Sequence, residues 1–329
     1  MTKYSEKAVG LVLLMWLLVT ITVGLQSWTG KQTIYAMQFE AVREEAHFGI
    51  LANEAPGGAG WKAVGGLTIQ KRIGVIYLAE AIRQHTTLSV GDIYKLLDSV
   101  FLFVSLLILF FFLRRWVPDI YCLLGVLYFS AMLPLTYLFH LFHPWDRLQL
   151  AIWIGLLCLV ADRRFTLLAT GLFVSVLVKF DTIMLPFFYF AVHFKTNQWR
   201  RTFIESAALL ALALSTYFSL GELFPAPLDI EVGFNSTSAL SQLQKNAQTL
   251  MEMNVQFPPL LVHALPVLLS FFFLKQKDRF VWTAVAFALG MSTIFILFSN
   301  YEEVRAHMIV LVLVLPSALL TLKKLLDSN

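Results

Sequence analysis

The sequence predicts an all-α fold: a polytopic transmembrane helical bundle of about ten spans, with two helical outer loops. Three observations predict it. Hydrophobic residues make up 58% of the 329 residues and charged residues only 14%, against roughly 45–50% and 25% in soluble domains. A soluble globule cannot hide that much apolar surface. Apolar runs near the length a membrane-crossing helix needs, about 20 residues, recur along nearly the whole chain. Lys and Arg gather in the breaks between those runs, as they do where they set membrane orientation.

The first seven residues are basic and precede an apolar stretch over 8–26. No small-x-small cleavage site follows cleanly and Trp28 stands at the exit, so this reads as an uncleaved first span. The further spans are expected at 98–113, 120–141, 148–161, 165–178, 182–193, 203–220, 258–274, 280–299 and 308–322. Three of them, 148–161, 165–178 and 182–193, are short for a full crossing. Lys179 and Asp181 break an otherwise continuous apolar run, so 165–194 fits either two short spans or one bent helix. Residues 1–329 thus form a single integral membrane domain with large outer loops at 27–97 and 221–257.

With a cytoplasmic N-terminus, the inner segments hold Lys3, Lys7, Arg114, Arg115, Arg163, Arg164, Lys195, Arg200, Arg201, Lys275, Lys277, Arg279, Lys323 and Lys324. The short outer loops hold only Arg147, Lys179, Lys245 and Arg305. Long loops weigh little in this rule. An even number of spans returns the C-terminus to the cytoplasm, where Lys323 and Lys324 agree.

The first outer loop carries two helical patterns, over 37–51 and 69–82, the second with Ile69, Ile73, Ile76 and Ile82 near one face. The plain reading of the second is an interfacial helix. Between them lies a turn-rich stretch at 53–58. In the other large loop, Ser236 or Thr237 would cap a helix, and Asn235-Ser236-Thr237 matches a glycosylation acceptor. The net charge of +4 belongs to the span breaks, so nucleic acid is not an expected partner. Cys122 and Cys158 both lie in apolar runs, without metal spacing. No internal repeat is evident.

No motif of a soluble nucleotide, zinc or serine enzyme is present. The informative residues are polar groups that the topology places at the outer face. Glu40, Glu44 and Glu45 on the first outer helix are the acid/base candidates by position, although a solvated helical face explains any one of them. Arg72 follows in the same loop. His140, His143 and Asp146 fall three residues apart, near one helix face. His143, Asp146 and Arg147 are candidate ligand-binding residues; the plain alternative is an interfacial Trp145 beside a solvated helix start. Lys179 and Asp181 sit where charges tend to pair or face a polar cavity. Glu302, Glu303, Arg305 and His307 open the last span, where Glu303 and Arg305 are candidates to orient and grip a phosphate. No cofactor is expected, and no ligand spacing supports a divalent metal.

This layout resembles the GT-C class of polytopic membrane glycosyltransferases and bacterial inner-membrane proteins of that type. The resemblance rests on one span followed by a large helical outer loop, on Leu113-Arg114-Arg115 closing the second span, on short central spans around Asp146-Arg147 and Lys179-Phe180-Asp181, and on Glu303-Val304-Arg305 before the last span. It implies a polyprenyl-phosphate sugar donor, an outer-face site and an early acidic catalytic residue. Glu40, Glu44 and Glu45 occupy that early region, and the first Asp of the loop is Asp92. Location in the bacterial inner membrane, with both termini cytoplasmic, follows. Two other readings stand beside it: a transporter or flippase of a polar or lipid-linked substrate, and a non-catalytic membrane component of cell-envelope polysaccharide assembly.

Overall fold

The structure is a computed structural model that describes residues 2–32, 44, 47–49, 51–52, 72–134, 145–224, 241, 243–244, 246–248, 259–298 and 304–327. Among these every regular element is helical, with no strand. In chain order the helices are α1 (Thr2–Gln32), α2 (Ile73–His85), α3 (Val90–Leu113), α4 (Asp119–Met132), α5 (Asp146–Ala161), α6 (Phe165–Val178), α7 (Leu185–His193), α8 (Trp199–Leu223), α9 (Pro259–Ser270), α10 (Arg279–Phe298) and α11 (Val304–Asp327). Short 3-10 turns at Phe180–Met184 and Leu274–Gln276 precede α7 and α10.

Four helical stretches are long and apolar enough to cross a membrane on their own: Val90–Leu113, Trp199–Leu223, Arg279–Leu297 and His307–Asp327. The stretches Val9–Leu25, Asp119–Met132, Phe165–Val178 and Phe180–His193 are apolar but shorter. Each expected span has a helix, and among the described residues four stretches combine the length and the apolar composition that crossing needs. The turn-rich stretch at 53–58, the Ser236 or Thr237 cap and Asn235-Ser236-Thr237 lie outside the described residues, as does most of the 37–51 pattern.

The chain divides into two compact units. The first contains residues 1–36, 99–140 and 238–329. Here α11 packs against α9, α10 and α4, and α4 against α1. Leu311, Val312, Leu313 and Leu315 of α11 are almost fully buried, so its apolar surface faces protein on all sides. Gly125 of α4 lets that helix approach closely: a Cβ there would stand 2.8 Å from side-chain atoms of Leu113 and Leu319. The segments holding Trp116, Lys277 and Lys324 meet at one end of this unit. Trp116 stacks on Phe280 with ring centroids 5.2 Å apart and its indole N–H donates to Asp278. Lys277 donates to Ser317 and Thr321. These three segments are ones the charge count assigns to a single side.

The second unit contains residues 37–98 and 141–237. Its α5 and α6 are joined by a tight turn in which Arg163 adopts φ 52°. α6 ends at Lys179, which is extended (φ −167°, ψ 136°), and the chain turns back through the 3-10 segment into α7. Phe165 at the start of α6 lies 6.4 Å, ring to ring, from Tyr189 near the end of α7. Residues 165–193 are thus an antiparallel pair of short helices rather than one bent helix. α8 packs along α6 and α7, and α2 lies on α6. Of the apolar face expected on α2, Ile76 is fully buried together with Val75 and Ala79.

Candidate functional site

The short helices α5, α6 and α7 bring their polar ends to one level of the second unit. Asp146 opens α5, and Lys179 and Asp181 lie just past the end of α6. Lys179 Nζ stands 3.1 Å from Asp146 Oδ1 and 3.6 Å from Asp181 Oδ2. The three side chains are only 15–22% exposed. One ammonium thus bridges two carboxylates from separate loops.

Asp146, Gln149 and Trp153 fall at i, i+3 and i+7, which places them on one face of α5. The Gln149 amide nitrogen lies 2.5 Å from Asp181 Oδ1 and 3.1 Å from the Lys179 carbonyl. Its two hydrogens serve those acceptors, and the Ser175 hydroxyl donates to Gln149 Oε1 at 3.3 Å. Trp153 Nε1 donates to the same Asp181 oxygen at 3.1 Å. Gln149, Trp153 and Ser175 are all nearly inaccessible, so Asp181 is held by buried donors. The neighbouring Thr182 is fully buried, and its hydroxyl has no hydrogen-bond partner among the described residues.

Arg72 immediately precedes α2, with its guanidinium carbon 4.8 Å from the Trp145 ring centroid. Gly74 makes this placement possible. A Cβ at Gly74 would meet the Leu177 carbonyl oxygen at 3.2 Å, so glycine lets the first turn of α2 rest on the end of α6 without crowding. Trp145 is 0% and Arg147 4% exposed, which removes the reading of an interfacial Trp beside a solvated helix start.

This cluster is recessed. Phe180 stacks on Tyr217 of α8 at 4.0 Å, and α8 continues six residues further to Leu223, or about 9 Å at about 1.5 Å per residue. The 14 residues of α6 likewise span about 21 Å, against a hydrocarbon core of about 30 Å. At the opposite ends of these helices lies a second polar group. There Glu205 accepts from Tyr189 (2.7 Å) and Arg201 (2.8 Å), with Arg163 3.5 Å away. Buried Ile154, Leu157, Leu168 and Leu172 occupy the helices between the two groups.

A third network ties His47 to α2 and α3. The buried His47 ring lies 2.8 Å from the Tyr94 hydroxyl through Nδ1 and 3.1 Å from Glu80 through Nε2. Arg83 grips Glu80 with two bonds, of 2.7 and 2.8 Å. Arg83, His47 and Gln84 together hold the Glu80 carboxyl far below the usual range. Burial lowers the His47 imidazole, despite its acidic neighbour.

Of the sequence-derived candidates, Asp146, Lys179 and Asp181 are in direct contact; Arg72 lies over Trp145, and Arg147 is buried in the first turn of α5. Glu44 is helical and exposed. Glu40, Glu45, His140, His143, Glu302 and Glu303 lie outside the described residues. Arg305 lies in the first turn of α11, in the other unit. Gln149, Trp153 and Ser175 escaped the sequence reading, although the i, i+3, i+7 spacing from Asp146 was there to find the first two. Among the described residues, no group of three or more His, Cys, Asp or Glu side chains is placed to hold a metal.

The fold and these contacts define a class: helical throughout the described residues, with helices long and apolar enough to cross a membrane and a recessed, charge-bridged polar cluster. No family model, curated protein or solved structure matches the chain.

Proposed function

We propose that the chain is an integral membrane protein that takes the phosphate-linked head of a lipid-linked sugar into this recess, as in the GT-C class it resembles. The observation that carries the reading is the Lys179 bridge between Asp146 and Asp181, roughly 9 Å short of the end of α8. Charges at such depth mark functional sites by default, because holding them there is costly. Lys179 and Arg72 hold the phosphate by charge-assisted hydrogen bonds. The acceptor hydroxyl attacks the anomeric carbon, the bond from that carbon to the phosphate oxygen breaks, and polyprenyl phosphate leaves. The proton passes to an acid acting as general base. Asp146 fills that role inside the recess once Lys179 turns to the phosphate; retained release in Asp146→Asn would give the role instead to Glu40, Glu44 or Glu45 of the first loop. Asp181, fixed by Gln149 and Trp153, keeps Lys179 in place. A ligand hydroxyl reaching Thr182 would relieve a buried orphan worth roughly 1–3 kcal/mol.

The apolar stretch between the two polar ends of the second unit counts against a polar transport path through it. Purified protein incubated with a short-chain polyprenyl-phosphate-linked sugar and candidate acceptors should release polyprenyl phosphate. Asp146→Asn and Lys179→Gln should each abolish release while the protein remains folded. Binding without release would favour the non-catalytic assembly component, and movement of the lipid between leaflets in proteoliposomes would favour the flippase.

A further inference from the structure

The turn between α9 and α10, in the first unit, is apolar where exposed turns are ordinarily polar. Phe271, Phe272 and Phe273 follow one another there and are 44%, 57% and 37% exposed. Phe273 adopts φ 56°, a left-handed backbone that costs a bulky residue free energy. Glycine is the usual residue for such a conformation after a helix. Here an aromatic ring occupies it in spite of the strain.

The turn is fastened from inside. Lys277 donates to the Ser270 carbonyl (3.1 Å), to Ser317 Oγ (2.8 Å) and to Thr321 Oγ1 (2.8 Å). That uses all three of its ammonium hydrogens, and burial pushes the group down to about 8. The outward face is left to the aromatic rings and to the exposed Lys275 and Lys324. Lys324 Nζ stands 4.3 Å from the Phe273 ring centroid and donates to Gln276. Two carboxylates at this end are already engaged. Asp119 pairs with Arg114 at 2.9 Å, and Asp278 accepts from Trp116 and caps the Val281 N–H. The surface is therefore apolar at its centre and cationic at its edge.

We propose that Phe271–Phe273 with Lys275 and Lys324 form a binding site for an anionic phospholipid. The rings enter the boundary between headgroups and acyl chains, and the two ammonium groups pair with the phosphodiester. Charge complementarity selects this occupant. A zwitterionic lipid carries the same phosphate, but its own cation would meet Lys275 and Lys324. The strained Phe273 is retained because its ring contributes contact on both sides, with Lys324 and with the lipid.

Native mass spectrometry of the full chain in nonionic detergent, titrated with phosphatidylglycerol or phosphatidylcholine, tests the proposal. The wild type should retain phosphatidylglycerol in preference. Lys275→Gln/Lys324→Gln should lose roughly 25-fold in phosphatidylglycerol affinity, at about fivefold per cation near an anionic surface, with phosphatidylcholine unchanged. Phe271→Ser/Phe272→Ser should weaken both lipids alike, and Lys275→Arg/Lys324→Arg should keep the preference. Equal retention of the two lipids by the wild type, or undiminished phosphatidylglycerol binding by the Gln variant, would overturn it.

Discussion

Replacing Lys179 with Met removes the ammonium from between two carboxylates and leaves most of the side-chain volume. At 3.1 and 3.6 Å, each attraction is worth about 5 kcal/mol at an effective dielectric of about 20. Much of that is offset in the folded protein by the desolvation of three ions, so the pair sum is not the net. What remains after substitution is unequal. Asp181 keeps Gln149 and Trp153 as donors, whereas Asp146 loses its bridging cation at the N-terminal end of α5, a position worth up to about 1 kcal/mol to a carboxylate. Breaking a largely buried pair costs roughly 3–5 kcal/mol; with about a fifth of each group exposed, about 3 kcal/mol is expected. At about 2.1 cal/mol/K per residue, the unfolding entropy of this chain is about 0.7 kcal/mol/K, so the melting temperature in detergent should fall by about 4 °C. Asp146→Asn on top of Lys179→Met removes the carboxylate that the ammonium had faced and should restore about half of that. A melting temperature within about 1 °C of wild type for Lys179→Met, or a double variant no better than the single, would refute the bridge as described.

Gln149→Leu should cost about 2–3 kcal/mol, because it strips Asp181 and the Lys179 carbonyl of a buried donor; the shift is read in the same melting assay. Gly74→Ala should destabilise by about 1 kcal/mol, since the new methyl presses on the Val178 side chain and the Leu177 carbonyl at 3.1 and 3.2 Å. Hydrogen exchange should then show α2 loosened from α6, whereas Gly155→Ala, with open space at its Cβ position, should leave exchange unchanged. The His47 network should weaken as pH falls from 7 to 5. Its folded imidazole binds a proton less readily than the unfolded one, so the unfolded state takes up protons first below the ordinary value of about 6.5 and stability drops. Glu80, held low, contributes stability above its ordinary range and loses it only at more acidic pH. Protection over 73–85, measured against the intrinsic exchange rate at each pH, should therefore fall between pH 7 and 5 in the wild type and stay level in His47→Gln.

The helices were legible where charges punctuate apolar runs. α6 has the bounds read from the sequence because Arg163, Arg164 and Lys179 flank it. α3 was read as starting at Asp98 but starts at Val90, because hydropathy stops at Asp92, Lys95 and Asp98 while the helix continues through them. The missed signal is at Ser89, whose hydroxyl accepts from the Asp92 N–H at 3.1 Å and donates to its carboxylate at 2.7 Å, a capping arrangement. In the recess, Asp146, Lys179 and Asp181 stood out as charges beside apolar runs. Gln149 and Ser175 did not, because an uncharged polar residue in a span draws no notice until its partners are known. Trp145 and Arg147 read as surface groups, because nothing local in the sequence places Arg72 over the indole.

The central claim is that the Asp146–Lys179–Asp181 recess receives the phosphate of a lipid-linked head, and equilibrium binding of a short polyprenyl phosphate beside the matching polyprenyl alcohol tests it most directly. The account predicts that the phosphate binds at least about tenfold more tightly than the alcohol, the worth of one charge-assisted contact of about 1.4 kcal/mol or more. It further predicts that Lys179→Gln erases this difference without weakening the alcohol. Equal affinity for the two lipids in the wild type, or a phosphate preference that survives Lys179→Gln intact, would contradict it.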